Sequence, residues 1–145
     1  MLQQILEFST NHPFLVVAFL ALSGLILFTE FRNLSQKFIT LGPSAAISII
    51  NKSNTMLLDV REVSEIKAGM LNDAIHIPLS GIGKRLAELD KYKDDSVLVY
   101  CRSGSRSGSV CRTLSGRGFE KVYNLAGGIM AWEDAHLPVS TKRKK

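Results

Sequence analysis

The chain has 145 residues, 46% hydrophobic and 21% charged, with a formal net charge of +5. Four of its 18 basic residues are the terminal Lys142, Arg143, Lys144 and Lys145, which leaves 18 − 4 = 14 basic against 13 acidic residues. A body so nearly neutral lacks the electrostatic footprint of a nucleic-acid binder, and two cysteines, Cys101 and Cys111, exclude a disulfide-dense scaffold. The expected setting is a reducing compartment in which at least one thiol is free for chemistry.

Residues 1–33 form a first segment. From Phe8 to Thr29 there is no Asp, Glu, Lys or Arg, and Phe14–Phe28 is almost unbroken apolar sequence without a helical period. A cleaved signal peptide would need a basic start and a small-residue cleavage site, and neither is present. A buried core helix and a single membrane anchor both remain. The anchor fits better, with a span over about residues 11–31 and Pro13 in the first helical turn. Arg32 and Lys37 follow the apolar run, and basic flanks stay on the cytoplasmic side. The sequence therefore predicts a single-pass inner-membrane protein whose C-terminal domain faces the cytoplasm. Residues 34–40 read as a linker, 41–140 as one domain and 141–145 as a solvated basic tail.

Within the domain, short apolar runs alternate with amphipathic stretches. Met56–Val60, Ile75–Ile77, Val97–Tyr100 and Val122–Leu125 predict strands. Pro43–Asn51, Glu62–Ala68, Lys84–Leu89, Ser105–Arg117 and Ile129–Ala135 predict helices. Such alternation argues an α/β fold, a mainly parallel central sheet flanked by helices. Ligands of such sheets bind beyond the carboxyl ends of the strands, where Cys101 follows Tyr100.

The segment from Cys101 through Arg102, Ser103, Gly104, Ser105 and Arg106 passes from a strand into a small-residue loop and then a helix. Small side chains let the backbone curl so that successive N–H groups form an anion-binding nest. A following helix adds the positive end of its dipole, and the two arginines add formal charge. Each feature favours a thiolate at Cys101.

This loop resembles the active-site loop of single-domain rhodaneses. Leu58-Asp-Val-Arg-Glu62 is similar to the first signature of that family, and Phe119–Trp132 to its closing one. With the anchor added, the layout resembles the membrane-anchored YibN-like rhodaneses of bacteria. The resemblance covers about residues 38–140. It implies a rhodanese-like fold and a sulfurtransferase in which Cys101 holds a persulfide. Arg102 and Arg106 would orient an anionic donor such as thiosulfate, and a thiol or cyanide would accept the sulfur, with no metal or other cofactor. By the same resemblance Asp59 and Arg61 support the loop, although a surface salt bridge is an equal alternative for that pair. His76 and Trp132 read as structural, and Gly127-Gly128 as a tight turn near the loop. Gly69–Ala74 departs from the family pattern in lacking its His, Pro and second Gly. Rival functions are a membrane-tethered interaction module without activity and a cysteine phosphatase of related fold. The phosphatase signature places five residues between Cys and Arg, where this chain has the four from Arg102 to Ser105.

Overall fold

The computed structural model describes residues 10–34, 38–52 and 54–141, with the backbone alone for 30–34. The predicted tail beyond Thr141, the first nine residues and residues 35–37 of the predicted linker lie outside the described residues. The chain divides into two compact units, Met1–Gln36 and Lys37–Lys145.

In the first unit, helix α1 runs Pro13–Leu34. Its apolar residues have no period, so they emerge on every side. Phe14, Phe19, Leu22, Leu25 and Leu27 are all exposed. Among the described residues no helix is long and apolar enough to cross a membrane, so the expected span is not found there. Within α1 the charge-free run Pro13–Thr29 rises about 25 Å at ~1.5 Å per residue. Glu30 and Arg32 follow within the same helix.

The second unit is built on a parallel five-stranded sheet in the order β1-β5-β4-β2-β3. Its strands are β1 (Ile39–Leu41), β2 (Thr55–Asp59), β3 (Ile75–His76), β4 (Ser96–Tyr100) and β5 (Lys121–Leu125). β1 was not expected, since Ile39 and Thr40 fall in the predicted linker. Three residues carry too little pattern to be read, and pairing fixes them, with Ile39 beside Tyr123 and Leu41 beside Leu125.

β4 lies at the centre and is buried along its whole length, as a strand covered on both faces must be. Side chains alternate between faces. Val97, Val99 and Cys101 pack with Val110, Cys111 and Leu114 of helix α4 (Ser105–Gly116), and with Leu86 and Leu89. Leu98 and Tyr100 point the other way, toward Ala46 of α2 (Pro43–Lys52) and toward Ile129 and Trp132 of α5 (Gly128–Asp134). Truncating a fully buried side chain such as Leu114 to alanine costs about 2–5 kcal/mol in such a core.

Two predicted helices are tighter than expected. Only Glu65–Ala68 of the Glu62–Ala68 stretch is helical, as a single 3₁₀ turn. The Glu65 carboxylate turns back to accept the Glu62 N–H at 2.9 Å, which closes the turn. Gly69, at φ 127°, ends it. The Lys84–Leu89 stretch divides into a short α-helix, Ile82–Arg85 (α3), and a 3₁₀ run, Leu86–Tyr92.

Candidate active site

Cys101 leaves the carboxyl end of β4 into a tight loop, and α4 begins at Ser105. The thiol is enclosed. Gly104 N–H donates to Cys101 Sγ at 3.1 Å, and Ser107 Oγ, on the first turn of α4, stands 3.4 Å from the same sulfur. The curl requires glycine at 104. Its φ is 93°, and a Cβ there would lie 3.0 Å from the Leu125 carbonyl oxygen. From the opposite side α5 pins the loop, with Ile129 N–H donating to Cys101 O at 2.9 Å and Met130 N–H to Arg102 O at 3.2 Å. The preceding Gly128 must lack a side chain, because a Cβ would collide with the Cys101 and Arg102 carbonyls. The predicted Gly127-Gly128 turn thus holds the cysteine loop directly.

Burial pushes the Cys101 thiol up. The Ser107 hydroxyl and the backbone N–H groups of Ser107, Ser103 and Gly104 outweigh it, so the thiol ionises below its ordinary value. Cys111 is the contrast. It is fully buried among Val110, Leu114 and the sheet. Burial drives its thiol up to about 12, and its S–H reaches only the Tyr123 carbonyl, at 3.5 Å. The structure separates one activated thiol from one inert one.

Asp59 and Arg61 form a buried ion pair, which disposes of the surface alternative. Their closest N–O distance is 2.7 Å, and both side chains are almost fully enclosed. Burial alone would lower the Arg61 pKa, but the hydrogen bond and charge of Asp59 raise it. Arg61 spends its remaining donors on two carbonyls, Glu65 O at 3.2 Å and Gly69 O at 2.7 Å. It thereby fixes the turn that carries Glu65.

Glu65 then meets Arg106 in a two-pronged pair, with both N–O distances 2.7 Å. The pair holds the Glu65 carboxyl down at about 2. It raises the Arg106 guanidinium above its ordinary value, against a smaller opposing effect of burial. Arg106 also lies close enough to Cys101 to feel its charge. Of the expected loop residues, Gly104 closes on the sulfur, while Arg102, Ser103 and Ser105 are exposed around it. Arg106 is engaged with a carboxylate.

Glu65 and Asn124 were not expected at the site, and Ser107, the last residue of the loop segment, carried no expected role. Asn124 is a buried amide on β5. Its Oδ1 lies 2.7 Å from Ser107 Oγ, and its Nδ2 donates to Gly104 O at 3.2 Å. An asparagine inside the buried strand Val122–Leu125 was the available signal, since a buried amide must find partners. The divergent Gly69–Ala74 stretch serves the same frame. Gly69 O accepts from Arg61, and Leu71 N–H donates to the buried Tyr100 hydroxyl at 3.0 Å. His76 and Trp132 are structural. His76 Nε2 contacts Arg61 O at 2.7 Å, and Trp132 Nε1 donates to Pro138 O at 3.0 Å. Among the described residues, no group of His, Cys, Asp and Glu could hold a metal ion.

Comparison with known proteins agrees with this geometry. Residues 43–135 match the model of the rhodanese-like domain. The uncharacterized protein YibN of Escherichia coli (strain K12) is 30% identical over 139 residues, covering 95% of this chain and 97% of that protein. A sulfurtransferase of Allochromatium vinosum is 40% identical over 91 residues, 63% of this chain and 83% of the other. Among solved structures, a rhodanese-related protein from Thermoplasma volcanium superposes with a TM-score of 0.65 at 28% identity. It covers 72% of this chain and 100% of its own. The chain belongs to the rhodanese-like domain family, whose named relatives include sulfurtransferases.

Proposed function

We propose that the domain moves a sulfane sulfur from a donor such as thiosulfate to a thiophilic acceptor, a thiol or cyanide, through a persulfide on Cys101. The observation that carries this reading is the convergence of Gly104 N–H and Ser107 Oγ on the Cys101 sulfur. Donors aimed at one sulfur stabilise a thiolate before attack and a persulfide after it. In the first half-reaction the thiolate attacks the outer sulfur of thiosulfate. That sulfur's bond to the central sulfur breaks, and sulfite leaves with the electron pair. In the second, the acceptor attacks the outer sulfur of the persulfide, and the Cys101 thiolate departs unchanged. Arg102 and the loop amides are the groups left to receive an anionic donor.

A phosphoryl group fits less well. Only four residues separate Cys101 from Arg106, and the Arg106 fork already holds a carboxylate. An inactive interaction module gives no reason for an activated thiol. Turnover of thiosulfate with cyanide by the purified chain, with no phosphate-ester hydrolysis, is the expected result. Phosphatase activity lost in Cys101→Ser would reverse the assignment.

We also propose that the first unit attaches the protein to the inner membrane from the cytoplasmic side. The supporting observation is the exposed apolar surface of Phe14, Phe19, Leu22, Leu25 and Leu27, a surface that single soluble helices rarely present to water. Arg32 follows the apolar run in sequence, and a basic residue beside an apolar segment favours anionic head groups. Flotation with inner-membrane vesicles tests this, and full recovery in the soluble fraction contradicts it.

A further inference from the structure

The Glu65–Arg106 pair has a consequence for which donors the site takes. A guanidinium beside a nucleophilic sulfur ordinarily attracts anions, and the attraction grows with the charge of the anion. Here the guanidinium is held from two sides by a carboxylate, with both N–O distances 2.7 Å. That carboxylate is itself fixed, because it accepts the Glu62 N–H at 2.9 Å. Its backbone carbonyl is held by Arg61 at 3.2 Å, and Arg61 by the buried Asp59. These contacts hold the Glu65 carboxylate on Arg106. Both side chains stay partly open to the solvent at the loop, 32% for Arg106 and 24% for Glu65. An incoming donor therefore meets a neutral pair where Arg106 alone would have been a cation.

We infer that Glu65 sets the charge selectivity of the Cys101 site by cancelling Arg106, so that donors of low negative charge are favoured over dianions. Glu65 acts through Arg106 and is a positioning residue. The substrate class this implies is a monoanionic or zwitterionic sulfane-sulfur compound, such as an organic thiosulfonate or an alkyl persulfide. Thiosulfate becomes a usable donor and not a preferred one. This substrate class rests on the sulfurtransferase reading. The electrostatic claim needs only that a small electrophile reaches the Cys101 sulfur.

The test uses two electrophiles that differ in charge and share one reaction, iodoacetate and iodoacetamide. The ratio of their alkylation rates at Cys101, followed by peptide mass spectrometry, reports the local potential. The thiolate fraction cancels in that ratio. In Glu65→Gln the ratio of iodoacetate to iodoacetamide should rise roughly three- to tenfold at low salt and fall back as salt is added. In Arg106→Gln, which leaves Glu65 unbalanced, it should fall by a similar factor. In Glu65→Gln with Arg106→Gln it should return to the wild-type value. Should Glu65→Gln fail to fold, the wild-type ratio decides: a cancelled pair leaves it nearly independent of salt, and an uncancelled Arg106 makes it fall as salt is added. A ratio unmoved by either substitution overturns the proposal, whether or not the protein transfers sulfur. With sulfur donors, Glu65→Gln should raise kcat/KM for thiosulfate more than for benzenethiosulfonate, and an equal change in both would contradict the substrate class. A shifted alkylation ratio without turnover of either donor would leave the electrostatic claim standing and remove the sulfurtransferase reading.

Discussion

Ser107 and Asn124 come from different elements, α4 and β5, and meet at 2.7 Å beside the Cys101 sulfur. The serine hydroxyl has one proton to give, so it serves Asn124 Oδ1, Gly104 O or the sulfur at any moment. Asn124 Nδ2 is committed to Gly104 O, which keeps Oδ1 facing the serine. As the thiol ionises, the proton has a stronger acceptor in the sulfur. The expected outcome for Ser107→Ala is an alkylation midpoint of Cys101 moved to higher pH. Hydrogen bonds to charged groups contribute about 1.5–3 kcal/mol, so the rate at neutral pH should fall roughly tenfold or more. An unchanged iodoacetamide pH profile would mean that the Ser107 hydroxyl does not serve the sulfur.

Cys111→Ala should leave sulfur transfer close to wild type. The thiol is buried and its pKa is pushed up to about 12, so it cannot resolve a persulfide at neutral pH. The loss of one packed sulfur atom should cost about 1 kcal/mol in urea unfolding. Activity as low as that of Cys101→Ser would show Cys111 to be part of the chemistry.

Asp59→Ala should be the most damaging single change outside the loop. It strands the buried Arg61, and removing one partner of a buried pair costs about 3–5 kcal/mol. Arg61 also holds the carbonyls of Glu65 and Gly69, so the loop should loosen together with the domain. Urea unfolding monitored through Trp132 gives the stability. A loss below about 1 kcal/mol would place the pair among weakly contributing surface bridges.

The Glu65 carboxyl supplies a pH dependence with a definite sign. Its folded pKa, about 2, lies below the ordinary 4.5. Its contribution to stability is therefore complete above pH 4.5 and lost as the pH falls toward 2. Glu65→Gln should flatten that part of the acid limb and leave the neutral side unchanged in slope. The side chain is partly solvated, so added salt should shrink the difference. Equal acid limbs for the two proteins would contradict the pair.

The cysteine loop was legible because its signals are local. An all-apolar β-branched strand, Val97–Tyr100, ends at Cys101, and the small residues Ser103, Gly104 and Ser105 permit only a tight curl before the helix. Asp59 and Arg61 were legible as a pair, but the sequence could not say that they are buried. Glu65 lies 41 residues from Arg106, and Asn124 lies 17 from Ser107. Both contacts depend on strand order, which no local pattern encodes. Ile39–Leu41 was read as linker because three residues become a strand only once β5 is beside them. The 3₁₀ turn at Glu65–Ala68 escaped for a related reason, since the Glu65 carboxylate and Gly69 tighten a stretch whose composition suits an α-helix.

The most direct measurement is intact-mass and peptide mass spectrometry of the purified chain after brief treatment with thiosulfate or benzenethiosulfonate, without reductant. Expected is a one-sulfur adduct on Cys101 that disappears on adding cyanide, with thiocyanate appearing in equal amount. Cys101→Ser, folded as judged by its thermal unfolding, should carry no adduct. A wild-type protein that acquires no sulfur from either donor, or an adduct that persists in Cys101→Ser, would contradict the assignment of Cys101 as the sulfur carrier.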